Sequence, residues 1–250
     1  MIRLRTLGLA LVAVFAMSAV AAGSASAKTC AELGFTNPCL VNAAGTGVKG
    51  VMKTESKAVS KLETKSGKIV ECTSNKGEST PTTGSAKHVE KATVTFAGCK
   101  GEGLKCANQG TEEIKTNSLE GEIGYISAAE HTVGLDLWPS SRTAKEREKG
   151  KKEFLALFVT FTCGGFVKNE ARGSVIGKMT PVGNTLQTTF TLTYSKKGTE
   201  KGIQEFNKLE NVEEGVPNQL ESSIFGGGFE KSNQQGTETV TPAETAELKG

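Results

Sequence analysis

The residues of this 250-residue chain that could do chemistry are few and unevenly distributed. There are six Cys, at positions 30, 39, 72, 99, 106 and 163, two His (His88 and His131), and a single Asp (Asp136) against 26 Glu. A Ser-His-acid triad needs a His to take the proton and an acid to hold its tautomer. His88 follows Lys87 at the start of a strand-like run and His131 sits in a turn, with no G-x-S-x-G elbow near either. Both read as solvated turn residues, and no catalytic residue is assigned. Paired carboxylates are the remaining option, because glycoside cleavage needs two acids roughly 5–10 Å apart. Glu120 and Glu122 would share one face of a strand, whereas the adjacent pairs Glu112-Glu113 and Glu213-Glu214 would alternate faces. Sugar-cleaving grooves also present aromatic platforms, and this chain has one Trp (Trp138) and two Tyr (Tyr125, Tyr194). Solvated Glu is the default, and a Glu-dependent hydrolase of extracellular polysaccharide is the alternative.

Metal and phosphate chemistry find no support. Zinc sites need close C-x₂₋₄-C pairs or neighbouring His, and neither is present. The run Phe225-Gly226-Gly227-Gly228-Phe229 lacks the G-x-x-x-x-G-K-[ST] spacing of a phosphate loop. A tight turn bracketed by two core-seeking Phe is expected there. No cofactor or metal is expected.

The cysteines are better explained as staples. Residues 1–27 have the anatomy of a signal peptide: Arg3 and Arg5, an apolar run over 7–20, then Ala25-Ser26-Ala27 before Lys28. That run is shorter than the roughly 20 residues that span a bilayer. A secreted or envelope-associated chain is expected, with residues 28–250 as one β-rich exported domain and no transmembrane segment after cleavage. Even Cys counts in such a compartment suggest disulfides, with 15 pairings open to six Cys. Spacing favours local clips at Cys30–Cys39 and Cys99–Cys106, leaving Cys72 to pair with Cys163.

Cleavage would remove two Arg and no acid, taking the net charge from +3 to +1. No nucleic-acid partner is expected of such a near-neutral chain. The residual basicity is concentrated in residues 140–153, where Arg142, Lys145, Arg147, Lys149, Lys151 and Lys152 stand among three Glu. Those six positions are the candidate contacts for an anionic envelope polymer or lipid headgroup; a solubilising loop tip is the plainer expectation. A surface protein is the other partner considered.

The elements around these residues are strands. Leu186, Thr188, Phe190, Leu192 and Tyr194 alternate with polar neighbours, as do Ala92, Val94 and Phe96, and Val133, Leu135 and Leu137 before Pro139. Residues 57–64 and 68–74 read as a hairpin through Ser66-Gly67. The run 154–163 is apolar on both faces until Thr160, as in a central strand covered on both sides. The tail from Ser232 is polar, with edge strands at most. The best helical candidate is a short turn near 31–35. An antiparallel β-sandwich, Ig-like or jelly-roll-like, is expected, with a barrel as the alternative. A weak echo between strands about 91–94 residues apart suggests two related units, about 45–135 and 154–250, against chance resemblance of Thr-rich strands.

Thr95-Phe96-Ala97-Gly98-Cys99, Gly103-Leu104-Lys105-Cys106 and the stretch 121–126 resemble a motif of exported actinobacterial proteins to which no activity is assigned. Phe161-Thr162-Cys163, Gly173-Ser174-Val175-Ile176-Gly177, Thr180-Pro181-Val182 and Gln204 extend the resemblance downstream. Residues 140–153 are longer and more basic than the family pattern. The resemblance implies export and a β-rich fold and brings no catalytic role. The most economical expectation is a disulfide-stabilised β-protein that binds or builds, at the envelope or outside the cell.

Overall fold

The computed structural model describes residues 28–141, 156–210 and 219–250. The expected signal peptide, the six basic candidate positions between Arg142 and Lys152, and Glu213-Glu214 lie outside the described residues.

Eighteen strands, β1 to β18 in chain order, and one short 3-10 turn (Ala31–Leu33) make up the described fold. All named pairings are antiparallel. The hydrogen-bonded ladders close on themselves twice. The first ring runs through β2 (Met52–Ser56), β5 (Ser74–Pro81), β6 (His88–Ala97), β10 (Leu119–Ser127), β11 (Thr132–Pro139), β14 (Val175–Thr180), β15 (Phe190–Tyr194) and β17 (Glu230–Thr241), which pairs back onto β2. Of the two expected architectures, this closed ring is the barrel. The second ring runs through β3 (Ser60–Thr64), β4 (Ile69–Cys72), β7 (Lys100–Gly101), β8 (Leu104–Ala107), β12 (Leu157–Cys163), β13 (Val167–Gly173) and β16 (Leu220–Ser223), and returns to β3 through the same β17. Both rings draw strands from the 45–135 and the 154–250 stretches. The chain sends hairpins to the rings in alternation: β3–β4 to the second, β5–β6 to the first, then β7–β8, β10–β11, β12–β13 and β14–β15 in turn.

β17 serves both rings. Ser232 to Gln235 pair with β3, and Gly236 to Val240 pair with β15. The polar tail is thus a shared inner strand rather than an edge. Ser232 and Asn233 are fully buried on it: Ser232 is paired in ladders on both sides and its hydroxyl finds a partner, whereas Asn233 is satisfied at Oδ1 and not at Nδ2. Ser232 Oγ lies 2.8 Å from Ser222 Oγ, and Gln235 Nε2 donates to Asn233 Oδ1 at 2.8 Å. β1 (Cys39–Asn42) and β18 (Ala246–Lys249) form a separate ribbon that lays Leu40, Ala246 and Leu248 against the first ring's core. Cys30–Cys39 ties the 3-10 turn to this ribbon. β9 (Glu113–Lys115) pairs with the end of β6.

The period-two patterns place the cores. Val133, Leu135 and Leu137 point into the first ring with Leu119, Ile123, Phe190 and Leu192. In β6 the alternation slips once: Val89 and Ala92 are both buried while Lys91 has φ 54 and is exposed. The slip coincides with register shifts against β5 and β10, the signature of a β-bulge. The alternation expected from Leu186 begins only at Phe190, because Gln187 leaves the ring to bridge Ala246. β12 alternates between buried Val159, Phe161 and Cys163 and half-buried neighbours, so only one of its faces is fully covered, contrary to expectation.

The disulfide expectation is corrected at two of three bridges. Cys30–Cys39 forms, but the others are Cys72–Cys99 and Cys106–Cys163. The reason lies in the second ring, where β4, β7, β8 and β12 set the four cysteines side by side in one row. A residue that shares a backbone hydrogen bond with one antiparallel neighbour faces the other neighbour as a closer, non-hydrogen-bonded pair. The Cys106 N–H donates to Cys99 O at 2.9 Å, which makes 99/106 the wide pair. The sulfurs therefore join outward, to partners whose Cα atoms stand 3.9 and 4.0 Å away.

Candidate functional site

An eight-stranded ring has an interior just wide enough for side chains to fill, or to hold one small ligand. The first ring is filled: Phe190, Leu119, Leu192 and Val133 are at most 2 % exposed. The second is lined by smaller groups. Ser60, Val70, Cys72 and Ala171 face its interior, and two disulfides stand where bulkier aliphatic side chains could have packed. A cavity of about 80 Å³ (volume open to the centre of a water-sized sphere) remains between the two cores. Its wall is almost wholly apolar, with Val94, Phe96 and Leu137 from the first ring's strands and Val159, Phe161 and Leu220 from the second's.

One carboxyl reaches this apolar space. Glu238 shares its face of β17 with Val240, points into the first ring, and is 5 % exposed. Burial pushes its acid up to about 7, against a lowering hydrogen bond from Asn75. Asn75 is itself buried; its Nδ2 donates to Ser60 Oγ at 2.9 Å, and its Oδ1 has no hydrogen-bond partner. Tyr194, also on the wall, has its phenol raised well above the ordinary value, first by burial and then by the negative charges of Glu238 and Asp136. No lysine or arginine pairs with Glu238 among the described residues. Lys61 lends its stem to the wall, while its ammonium is held by Glu71 at 2.7 Å.

The sequence-derived acids lie elsewhere. Glu120 and Glu122 do share a face of β10, but it is the face opposite buried Leu119, Ile123 and Tyr125, outside the ring. Glu122 Oε1 is 3.9 Å from His88 Nε2, an exposed contact. His131 is exposed, with φ 49 in its turn. Trp138 stands opposite Glu120 in the ladder and does not line the cavity. Glu112 is exposed. The Gly-rich run is a turn from β16 to β17: Phe225 joins the second core, while Phe229 stacks under the Arg172 guanidinium at 3.9 Å instead. Asp136 and Glu63 are buried as well; Glu63 is on the outer face of β3, where Lys196 Nζ and Gln235 Nε2 each reach its Oε2 at 3.2 Å.

The described chain is thus an all-β, disulfide-braced protein of two rings sharing one strand. Its distinctive chemical feature is an apolar cavity that holds an acid. No family model, curated protein or solved structure matches it. No helix among the described residues is long and apolar enough to cross a membrane.

Glu238 was not singled out in the sequence, being one of 26 Glu. Its only local signal is the position two before Val240, which puts both on the same face of a strand.

Proposed function

We propose that this chain is an exported binding protein of the cell envelope or exterior, and that the cavity between its rings holds a small ligand. The observation that carries the reading is a buried carboxyl opening onto an apolar cavity, with no cation paired to it among the described residues. Burying a carboxylate with one neutral hydrogen-bond donor, Asn75, and no opposite charge is costly, and that cost is offset wherever a ligand supplies the charge. Export draws support from the three disulfides, which persist in oxidising compartments, and from the signal-peptide anatomy of residues 1–27. Membership of the exported actinobacterial family belongs to the same proposal. In its favour, the motif's Cys99, Cys106 and Cys163 lie in the disulfide row, and Gly98 and Gly173 stand where the chain passes between rings.

The test is an NMR-detected fragment screen on the methyl-labelled protein. Shifts confined to Val70, Val94, Leu137 and Leu220 support the cavity as the site. Binding of an anionic polymer that shifts only the 142–152 region would move the site to the basic stretch. Polysaccharide release measured alongside, in wild type and Glu120→Gln/Glu122→Gln, addresses the hydrolase alternative directly.

A further inference from the structure

The polar groups at the cavity are mismatched in a way that specifies what would complete them. Glu238 offers a carboxyl to the cavity, and Asn75, which does not line it, hydrogen-bonds to that carboxyl while its own Oδ1 has no donor. The titratable group that feels the carboxyl's charge among the described residues is Tyr194 on β15, which brings no positive charge. Ser60 Oγ is already engaged by Asn75 Nδ2, and Gln234 Nε2 donates to Gln235 O. Lys61, the one cation on the wall among the described residues, points its ammonium to Glu71. The site therefore presents a buried carboxyl with no opposite charge paired to it among the described residues, inside a wall of Val, Leu and Phe.

Resting on the cavity's being a ligand site, we propose that its ligand is a small apolar amine whose ammonium pairs with Glu238 and whose hydrocarbon body lies against Val70, Phe161 and Leu220. A carboxylate ligand would be repelled by Glu238. A neutral hydrocarbon would fill the space and leave the buried carboxyl as it is. Size is bounded by volume. At roughly 10–15 Å³ of such volume per water, a cavity of about 80 Å³ holds about six waters, hence a ligand of about six to eight non-hydrogen atoms.

Benzylamine and benzyl alcohol reach this size, benzoate is one atom larger, and the three differ at one group, so titrating each into the whole exported chain at pH 8 isolates the charge. Calorimetry gives the affinity and methyl shifts at Val70 and Leu220 give the place. Benzylamine is expected to bind at least tenfold more tightly than benzyl alcohol, with benzoate weakest, and Glu238→Gln is expected to erase the preference for the amine. The comparison of three ligands in the wild type stands even where that variant fails to fold. Equal binding of amine and alcohol at the cavity, or preferred binding of benzoate, overturns the amine assignment and leaves the cavity reading intact. No cavity shifts with any of the three overturns both.

Discussion

Glu238→Gln is expected to change how stability depends on pH rather than simply to lower it. The acid sits near its ordinary 4.5 in an unfolded chain and at about 7 in the folded one, chiefly because of burial. The folded state therefore holds the proton more tightly. Its contribution is fully present below about pH 4.5 and is lost as pH rises through 7. The gap corresponds to about 3 kcal/mol, as an order of magnitude. Glutamine is a neutral isostere that cannot ionise, so the variant escapes this loss. Urea unfolding with disulfides intact, followed by Trp138 fluorescence at intervals from pH 4 to 8.5, yields the two stability curves. Wild type should lose about 3 kcal/mol relative to Glu238→Gln across that range, most of it between pH 5 and 7. Asp136, His88 and His131 are present in both proteins and cancel in the difference. Two curves that stay parallel within about 0.5 kcal/mol would show that the carboxyl is solvated, and the burial of Glu238 would have to be abandoned.

Three further outcomes are expected. A non-reducing peptide map should yield Cys72 joined to Cys99 and Cys106 to Cys163; replacing each pair by Ser should cost about 3.6 and about 4.2 kcal/mol respectively on the loop-closure model, read from denaturation midpoints. Gly173→Ala should destabilise by about 3 kcal/mol, because a Cβ there would stand 1.9 Å from Gln219 O at a φ of +99; a melting temperature within 2 °C of wild type would contradict this. Lys196→Ala strips the ion pair from Glu63, whose side chain is 6 % exposed, and should cost about 3 kcal/mol, whereas Lys61→Ala, opposite a half-exposed Glu71, should cost under about 1 kcal/mol; chemical denaturation separates the two.

The sequence carried the first ring and half-concealed the second. Strands such as β11 and β6 announce themselves because one face packs on Leu, Val and Ala while the other meets polar surroundings, so burial is written as a period of two. β17 has no such period. Its stretch from Glu230 to Thr241 contains one large aliphatic residue, Val240. Its central place follows instead from backbone pairing to β3 and β2, with Ser232 opposite Thr64 and Thr241 opposite Lys53, which no local pattern encodes. The disulfide partners were hidden for the same reason. Spacing made 99/106 look like a hairpin clip, and those residues are indeed cross-strand neighbours. Which neighbour a sulfur reaches is decided by the hydrogen-bond phase of the ladder, and that phase becomes visible only when the strands are in register. The cavity is a property of the volume left over between two rings, set by Ser60, Val70 and Ala171 being small where they meet.

Sharing one strand between two rings also sets an order in time. β2 and β3 can make their hairpin contacts with β4 and β5 as soon as those segments exist, but neither ring can shut until Glu230–Thr241 arrives near the end of the chain. Closure of both is then a single event spanning nearly the whole sequence, the kind of long-range pairing that folds slowly. A chain shortened before Glu230 would not lose one module and keep the other. It would leave two open sheets, each with unpaired edges ready to join another copy. β17 works as a clasp for both rings.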